Sequence, residues 1–137
     1  MRPPAASSHL SLYLAVAYSL LAVYASLHPF AGWRDSGVAP TDFLLAGWPR
    51  YTTAFDLATN IVAYLPLGFL WVPALQPRLG RSGAVLLATL CGIVLSLALE
   101  SLQNYLPSRI PSSVDLACNG IGTLLGALAG ARWGHQL

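Results

Sequence analysis

The sequence predicts an all-α protein, a transmembrane bundle of four helices with a short interfacial segment between helices 1 and 2. Of its 137 residues, 55% are hydrophobic and only 9% are charged, whereas a soluble domain carries roughly 25% charged residues. The mean hydropathy of +0.60 agrees with this composition. We therefore expect one integral membrane domain over residues 1–137, with its core over residues 56–130.

Four apolar runs predict the four helices. No charged residue occurs from Leu10 to Leu27, and this run is close to the roughly 20 residues that a membrane-spanning helix needs. We interpret it as a retained helix, because the apolar part of a cleaved signal peptide is shorter, at about 7 to 15 residues. Pro66 is expected to kink the second helix. The predicted spans cover residues 10–28, 57–75, 83–105 and 114–132.

The arginines predict the orientation of the bundle. Arg78 and Arg81 lie in the short connection between the second and third spans, which the positive-inside rule places in the cytoplasm. Four spans then place both termini in the cytoplasm, together with Arg2 and Arg132. The other arginines fall on the outside: Arg34, Arg50 and Arg109.

The long connection between the first and second spans contains a candidate short helix over residues 41–48. Thr41 is positioned to cap it. Because the segment is too short to cross a bilayer, we expect it to lie on the outer interface.

Polar side chains recur near the outer ends of three predicted helices. A carboxylate and an amide are spaced to share one helix face in each case, and Arg109 in the neighbouring loop suits bidentate binding of carboxylate or phosphate. A carboxylate that borders hydrocarbon must face protein or water, so these residues predict an outward polar pocket. The candidate ligand-binding residues are Asp56, Asn60, Glu100, Gln103, Arg109, Asp115 and Asn119.

Structural roles are an alternative for the same residues. Asp56 and Asp115 are also expected as helix N-caps, and Arg109 as the ion-pair partner of an acid such as Glu100. The segments that begin at Asp56 and Asp115 both read Asp-Leu-Ala, with Asn four residues after the Asp, which is typical of a parallel repeat. The glycines of the last span recur every four residues and predict close helix packing: Gly122, Gly126 and Gly130.

These motifs, in this order and spacing, resemble the VanZ-like family, named for an accessory membrane protein of glycopeptide-resistance clusters. The resemblance implies a small integral membrane protein of the bacterial cell envelope, here a multi-pass protein of the inner membrane. Some members are associated with low-level resistance to teicoplanin, a lipid-bearing glycopeptide. One difference is Tyr64, where Phe is common in the family. The matching pieces are Asn60 with Pro66-Leu67-Gly68-Phe69, Glu100-x-x-Gln103, Arg109, and Asp115-x-x-x-Asn119-x-x-Gly122-x-x-x-Gly126.

Three functions are compatible with the polar residues. We favour a binding protein that recognises the polar head of an envelope lipid or of a lipid-bearing glycopeptide. An enzyme would use Asp56, Glu100 and Asp115 to bind a hard cation and Arg109 to hold a lipid-linked phosphate, although no hydrolase or zinc-protease motif is present. An ion or lipid transporter would use the carboxylates as a relay, but the inner halves of the helices nearly lack polar side chains.

The sequence also bears on cofactors and partners. No cofactor, no metal and no catalytic residue is assigned, and Cys91 and Cys118 have neither metal-ligand nor disulfide spacing. The formal net charge of +2 is too small and too scattered to predict binding to nucleic acid. The expected partners are membrane lipids, a lipid-linked cell-wall precursor or lipoglycopeptide, and a second copy of the chain.

Overall fold

The computed structural model describes residues 6–137, with side chains from His9 onward. It contains three α-helices, which are α1 (Ala6–Leu27), α2 (Ala54–Gln103) and α3 (Ser113–Trp133), and short 3₁₀ turns at Asp42–Leu44 and Gly134–Gln136. No strand occurs in this part of the chain. The predicted all-α class is therefore confirmed.

Helix α2 is broken at one residue. Gly80 has φ 70° and ψ 177°, while the backbone is helical on both sides of it. Val72 and Ala88 belong to one buried cluster with Ala127 of α3, although a straight helix would separate residues 72 and 88 by about 24 Å. The two arms of α2, residues 54–79 and 81–103, therefore fold back on each other.

The structure thus has three α-helices where the sequence predicted four. The second and third predicted spans belong to one element, because the connection predicted over residues 76–81 is helical except at Gly80. The break lies at Gly80, and Pro66, where the sequence predicts a kink, lies within the first arm. A backbone with positive φ and extended ψ is open almost only to glycine, so this one residue suffices to reverse the chain.

The first arm of α2 and α3 run in the same direction with their backbones in close contact. A Cβ atom added to Gly122 would meet the carbonyl oxygen of Ile61, and one on Gly126 would meet that of Leu65. A Cβ atom on Gly130 would lie 2.6 Å from the carbonyl oxygen of Phe69. The predicted glycine face is therefore confirmed, and it packs against the first arm in a parallel arrangement, as the internal repeat predicted.

Helix α1 packs against α2 through a few specific contacts. The Tyr18 hydroxyl donates to the carbonyl oxygen of Ala63 at 2.7 Å, and the Trp71 indole N–H donates to the Ser19 hydroxyl at 3.1 Å. At the other end of α1, Leu27 is buried against Leu99 in the last part of α2 and Leu106 in the loop after it.

The connection between α1 and α2 is mostly irregular. Its 3₁₀ turn, Asp42–Leu44, is shorter than the helix predicted there and buries Phe43. Thr41 occupies the N-cap position but its side chain makes no capping hydrogen bond.

The three α-helices are each long and apolar enough to cross a membrane. Their apolar side chains are largely exposed on the outside of the bundle, as for Leu20, Leu86 and Leu125. This distribution is typical of a protein whose helices contact lipid. Arg2, which contributed to the predicted orientation, lies outside the described residues.

Candidate functional site

Two acids stand at equivalent positions in the first turns of α2 and α3. Thr53 is the N-cap of α2, and the Asp56 carboxylate accepts from the Thr53 N–H at 2.8 Å while the Thr53 hydroxyl accepts from the Asp56 N–H. Ser112 is the N-cap of α3, and its hydroxyl accepts from the N–H of Asp115 at 3.3 Å. The two acids therefore lie three residues inside their helices, and the expectation that they are themselves the N-caps is wrong.

Asp56 and Asp115 line one groove of about 610 Å³ between the starts of α2 and α3. The Asn60 side-chain N–H donates to Asp115 Oδ1 at 2.9 Å and joins the two helices. Each carboxylate keeps one oxygen with no hydrogen-bond partner among residues 6–137. The remaining groove walls combine charge and aromatic surface: Arg50, Tyr51, Phe55, Ile110 and Ser112, with Pro49, Thr52 and Thr59.

Glu100 and Asn119 are buried below this groove. Glu100 is only 4% exposed, and its Oε2 accepts from the Ser112 backbone N–H at 2.8 Å. Asn119, also 4% exposed, donates through Nδ2 to the Ser96 hydroxyl at 2.9 Å. Ser96 and Glu100 lie one turn apart on the second arm. Hydrogen bonds therefore join this arm to Asn119 of α3 and to Ser112, the N-cap of α3.

The Asn119 side chain is only half satisfied. Its Oδ1 is buried without a hydrogen-bond partner in the described part of the chain. Tyr64 lies next to Ser96, the residue that accepts from Asn119 Nδ2. An unpaired amide oxygen in a buried site costs about 1 to 3 kcal/mol.

Gln103 and Arg109 hold the C-terminal end of α1. Gln103 Nε2 donates to the carbonyl oxygen of Ser26 at 3.1 Å. Arg109 donates to the carbonyl oxygens of Ala25 at 2.8 Å and His28 at 3.0 Å, which are acceptors left free at a helix end. The expected ion pair between Arg109 and Glu100 is therefore wrong, because Glu100 bonds to a backbone N–H and Arg109 to carbonyl oxygens.

Arg109 faces a second hollow of about 380 Å³ between the loop after α2 and residues 34–36. This basic hollow adjoins the groove, since Ile110, 87% exposed, lies in the walls of both. Its lining comprises Arg34, Asp35, Ser36, Asn104, Leu106, Pro107, Arg109, Ile110 and Pro111.

The seven candidate residues thus gather at one end of the bundle but do not form one pocket. Asp56, Asn60 and Asp115 line the groove. Glu100 and Asn119 are buried in the bundle. Gln103 and Arg109 donate hydrogen bonds to the C-terminal end of α1. No three of the His, Cys, Asp and Glu side chains within residues 6–137 are arranged to hold a metal ion.

Several residues of this region were not predicted from the sequence. Thr53 and Ser112 were detectable, because a Thr or Ser followed three residues later by an acid is typical of a helix start. Ser96 was detectable from its spacing of one turn before Glu100. Nothing in the local sequence pointed to Arg34, which reaches the basic hollow from a distant loop.

The fold and the polar residues together define an α-helical protein of membrane type whose polar side chains gather at one end of its bundle. The model of the VanZ/LLP1 family matches residues 5–133, which is nearly the whole chain. The chain belongs to the VanZ/LLP1 family, and the predicted resemblance is confirmed. No curated protein and no solved structure matches the chain.

Proposed function

We propose that this chain is a multi-pass protein of the bacterial inner membrane that binds the polar head group of an envelope lipid at its outward end. In this arrangement α1, the two arms of α2, and α3 each cross the bilayer. Both termini and the Gly80 break face the cytoplasm, as the positive-inside rule favours for Arg78, Arg81 and Arg132. A reporter protein that fluoresces only in the cytoplasm, fused after Leu137, is expected to fluoresce, and a dark fusion of normal abundance would contradict this orientation.

The observation that carries the proposal is the groove between the starts of α2 and α3. Asp56 and Asp115 each direct a carboxylate with an unpaired oxygen to a cleft of about 610 Å³, which lies in the 300 to 1,000 Å³ range typical of ligand sites. Such oxygens accept hydrogen bonds from the hydroxyl or amino groups of a lipid head. Tyr51 and Phe55, both mostly exposed, would adjoin the interface, where aromatic side chains are enriched.

The buried residues support the groove from below. Glu100 fixes the Ser112 backbone and Asn119 fixes the second arm, so both act on the position of Asp115 without touching a ligand. Among the seven candidates we therefore assign direct ligand contact to Asp56, Asn60 and Asp115. Glu100, Gln103 and Asn119 hold the helices that carry them, and Arg109 lies outside the groove.

Native mass spectrometry of the full chain in mild detergent tests this assignment. The native protein is expected to retain head-group-bearing lipids from the membrane, and Asp115→Asn to lose about tenfold in their affinity, the scale of one hydrogen bond to a charged group. Added teicoplanin, the lipid-bearing glycopeptide associated with some members of the family, is a second ligand in the same assay.

The matched control is Asp42→Asn, because the Asp42 carboxylate accepts from the Ala39 N–H within the connection and lines neither the groove nor the basic hollow. It removes the same charge at the same end of the bundle. Equal lipid retention by the native protein, Asp115→Asn and Asp42→Asn, with all three folded by circular dichroism, would refute binding in the groove.

A further inference from the structure

We infer that the basic hollow beside the groove is a phosphate subsite, in which Arg34 and Arg109 bind the phosphate of a phospholipid head group. This inference rests on the proposed function, since the same lipid would extend across Ile110 into the groove. It adds a chemical class for the ligand and a binding residue, Arg34, from outside the motifs that resemble the family.

Arg109 is held in place before any ligand arrives. Its Nε and Nη2 donate three hydrogen bonds to the carbonyl oxygens of Ala25 and His28 at 2.8 to 3.2 Å. Its Nη1 has no acceptor within the described residues. A guanidinium fixed on one edge and open on the other loses little side-chain entropy when it binds a phosphate oxygen.

Arg34 supplies the opposite wall of the hollow. Its backbone N–H donates to the carbonyl oxygen of Tyr105 at 2.9 Å, which ties residues 33–38 to the loop after α2. Its guanidinium makes no hydrogen bond or ion pair with any residue that the structure describes. The wall is reinforced by Asn104, whose side-chain N–H donates to the Ser36 hydroxyl at 2.8 Å.

The charge of the hollow favours an anion. Its lining contains two arginines and one acid, Asp35, so the formal balance is +1. The Asp35 carboxylate accepts from the Gly37 N–H at 2.9 Å and pairs with neither arginine. Two guanidinium groups around one cavity match the several oxygens of a phosphate, for which arginine is the preferred partner.

The membrane setting favours a lipid as the source of the phosphate. The hollow lies at the C-terminal ends of α1 and α2, where both helices leave the apolar part of the bundle. A phosphate held there stays connected to acyl chains that run along the exposed apolar helices. Free phosphate would lack that second contact, so we expect it to bind far more weakly.

The test compares two lipids with identical acyl chains, phosphatidylglycerol and a glucosyl diacylglycerol without phosphate, on the full chain by native mass spectrometry. Arg34→Gln is the main variant, because Arg34 is exposed and its side chain makes no hydrogen bond or ion pair with a residue that the structure describes. We expect it to weaken phosphatidylglycerol binding about tenfold and glycolipid binding less than twofold. Arg78→Gln, an exposed arginine at the opposite end of the bundle, is expected to change neither.

The outcomes separate this inference from the proposed function. If Asp115→Asn weakens both lipids while Arg34→Gln affects neither, the groove binds head groups and the phosphate subsite is refuted. If inorganic phosphate at millimolar concentration displaces phosphatidylglycerol, the hollow binds free phosphate and the lipid assignment is overturned. If Arg34→Gln and Arg78→Gln weaken binding equally, the effect is general charge and the subsite is also refuted.

Discussion

Substitution of one glycine in α3 tests how the bundle is assembled. In Gly126→Ala the new Cβ would lie 2.8 Å from the carbonyl carbon of Leu65 and closer still to its oxygen, whereas carbon atoms in contact prefer about 3.5 to 4.0 Å. The obstacle is backbone, so the first arm of α2 and α3 must move apart by roughly 1 Å. The same movement would loosen the contacts of Gly122 and Gly130.

The expected cost follows from two opposing effects. Overpacking costs about 1 to 3 kcal/mol, and a backbone obstacle belongs at the upper end of that range. Alanine is a better helix former than glycine by about 1 kcal/mol. We therefore expect Gly126→Ala to lower the free energy of unfolding by about 2 kcal/mol.

Gly120→Ala is the control in the same helix. Its Cβ would lie 3.2 Å from Cγ1 of Ile93, a flexible side chain, so the gain in helix propensity should dominate. Unfolding by sodium dodecyl sulfate in mixed micelles, followed by circular dichroism, measures both variants. A difference between them of less than about 0.5 kcal/mol would refute the close parallel packing, since propensity acts on both equally.

Three further substitutions can be measured in the same unfolding assay. Gly80→Ala is expected to cost about 1 to 3 kcal/mol from backbone strain alone, because no atom lies within 4 Å of the added Cβ; unchanged stability would contradict the break at this residue. Ser112→Ala is expected to cost about 0.5 to 2 kcal/mol through loss of the N-cap, and Ser112→Asp to restore most of it. Asn60→Ala is expected to cost about 1.5 kcal/mol because Asp115 loses its side-chain donor, and an equal cost in an Asp115→Ala background would show that the two side chains are not coupled.

The sequence predicted the all-α class and the starts of α2 and α3, because these depend on local features. The apolar runs are encoded within a few residues, so the starts predicted from them at residues 57 and 114 lie close to the observed Ala54 and Ser113. The connection at residues 76–81 was misjudged, because a chain reversal through a single glycine leaves helical backbone on both sides.

The candidate site was predicted less completely, because side-chain partners depend on tertiary structure. The spacing of Asp115 and Asn119 identified their shared face, but not that Asn60 and Ser96 would be their partners. The charge of Arg109 suggested an acid as its partner, whereas the loop geometry places it against free carbonyl oxygens of α1. Every helix end leaves carbonyl oxygens free, so no residue type in the sequence identifies them as the partners of Arg109.

The glycine contacts between the first arm of α2 and α3 repeat at a constant interval, and a repeated pattern does not by itself define one alignment. If α3 slid by four residues, about 6 Å, a glycine would again face Leu65 and another would face Phe69. The same slide would separate Asn60 from Asp115 and Ser96 from Asn119. The polar side chains therefore select one alignment among several that packing would accept, as a single buried polar residue does in a coiled coil.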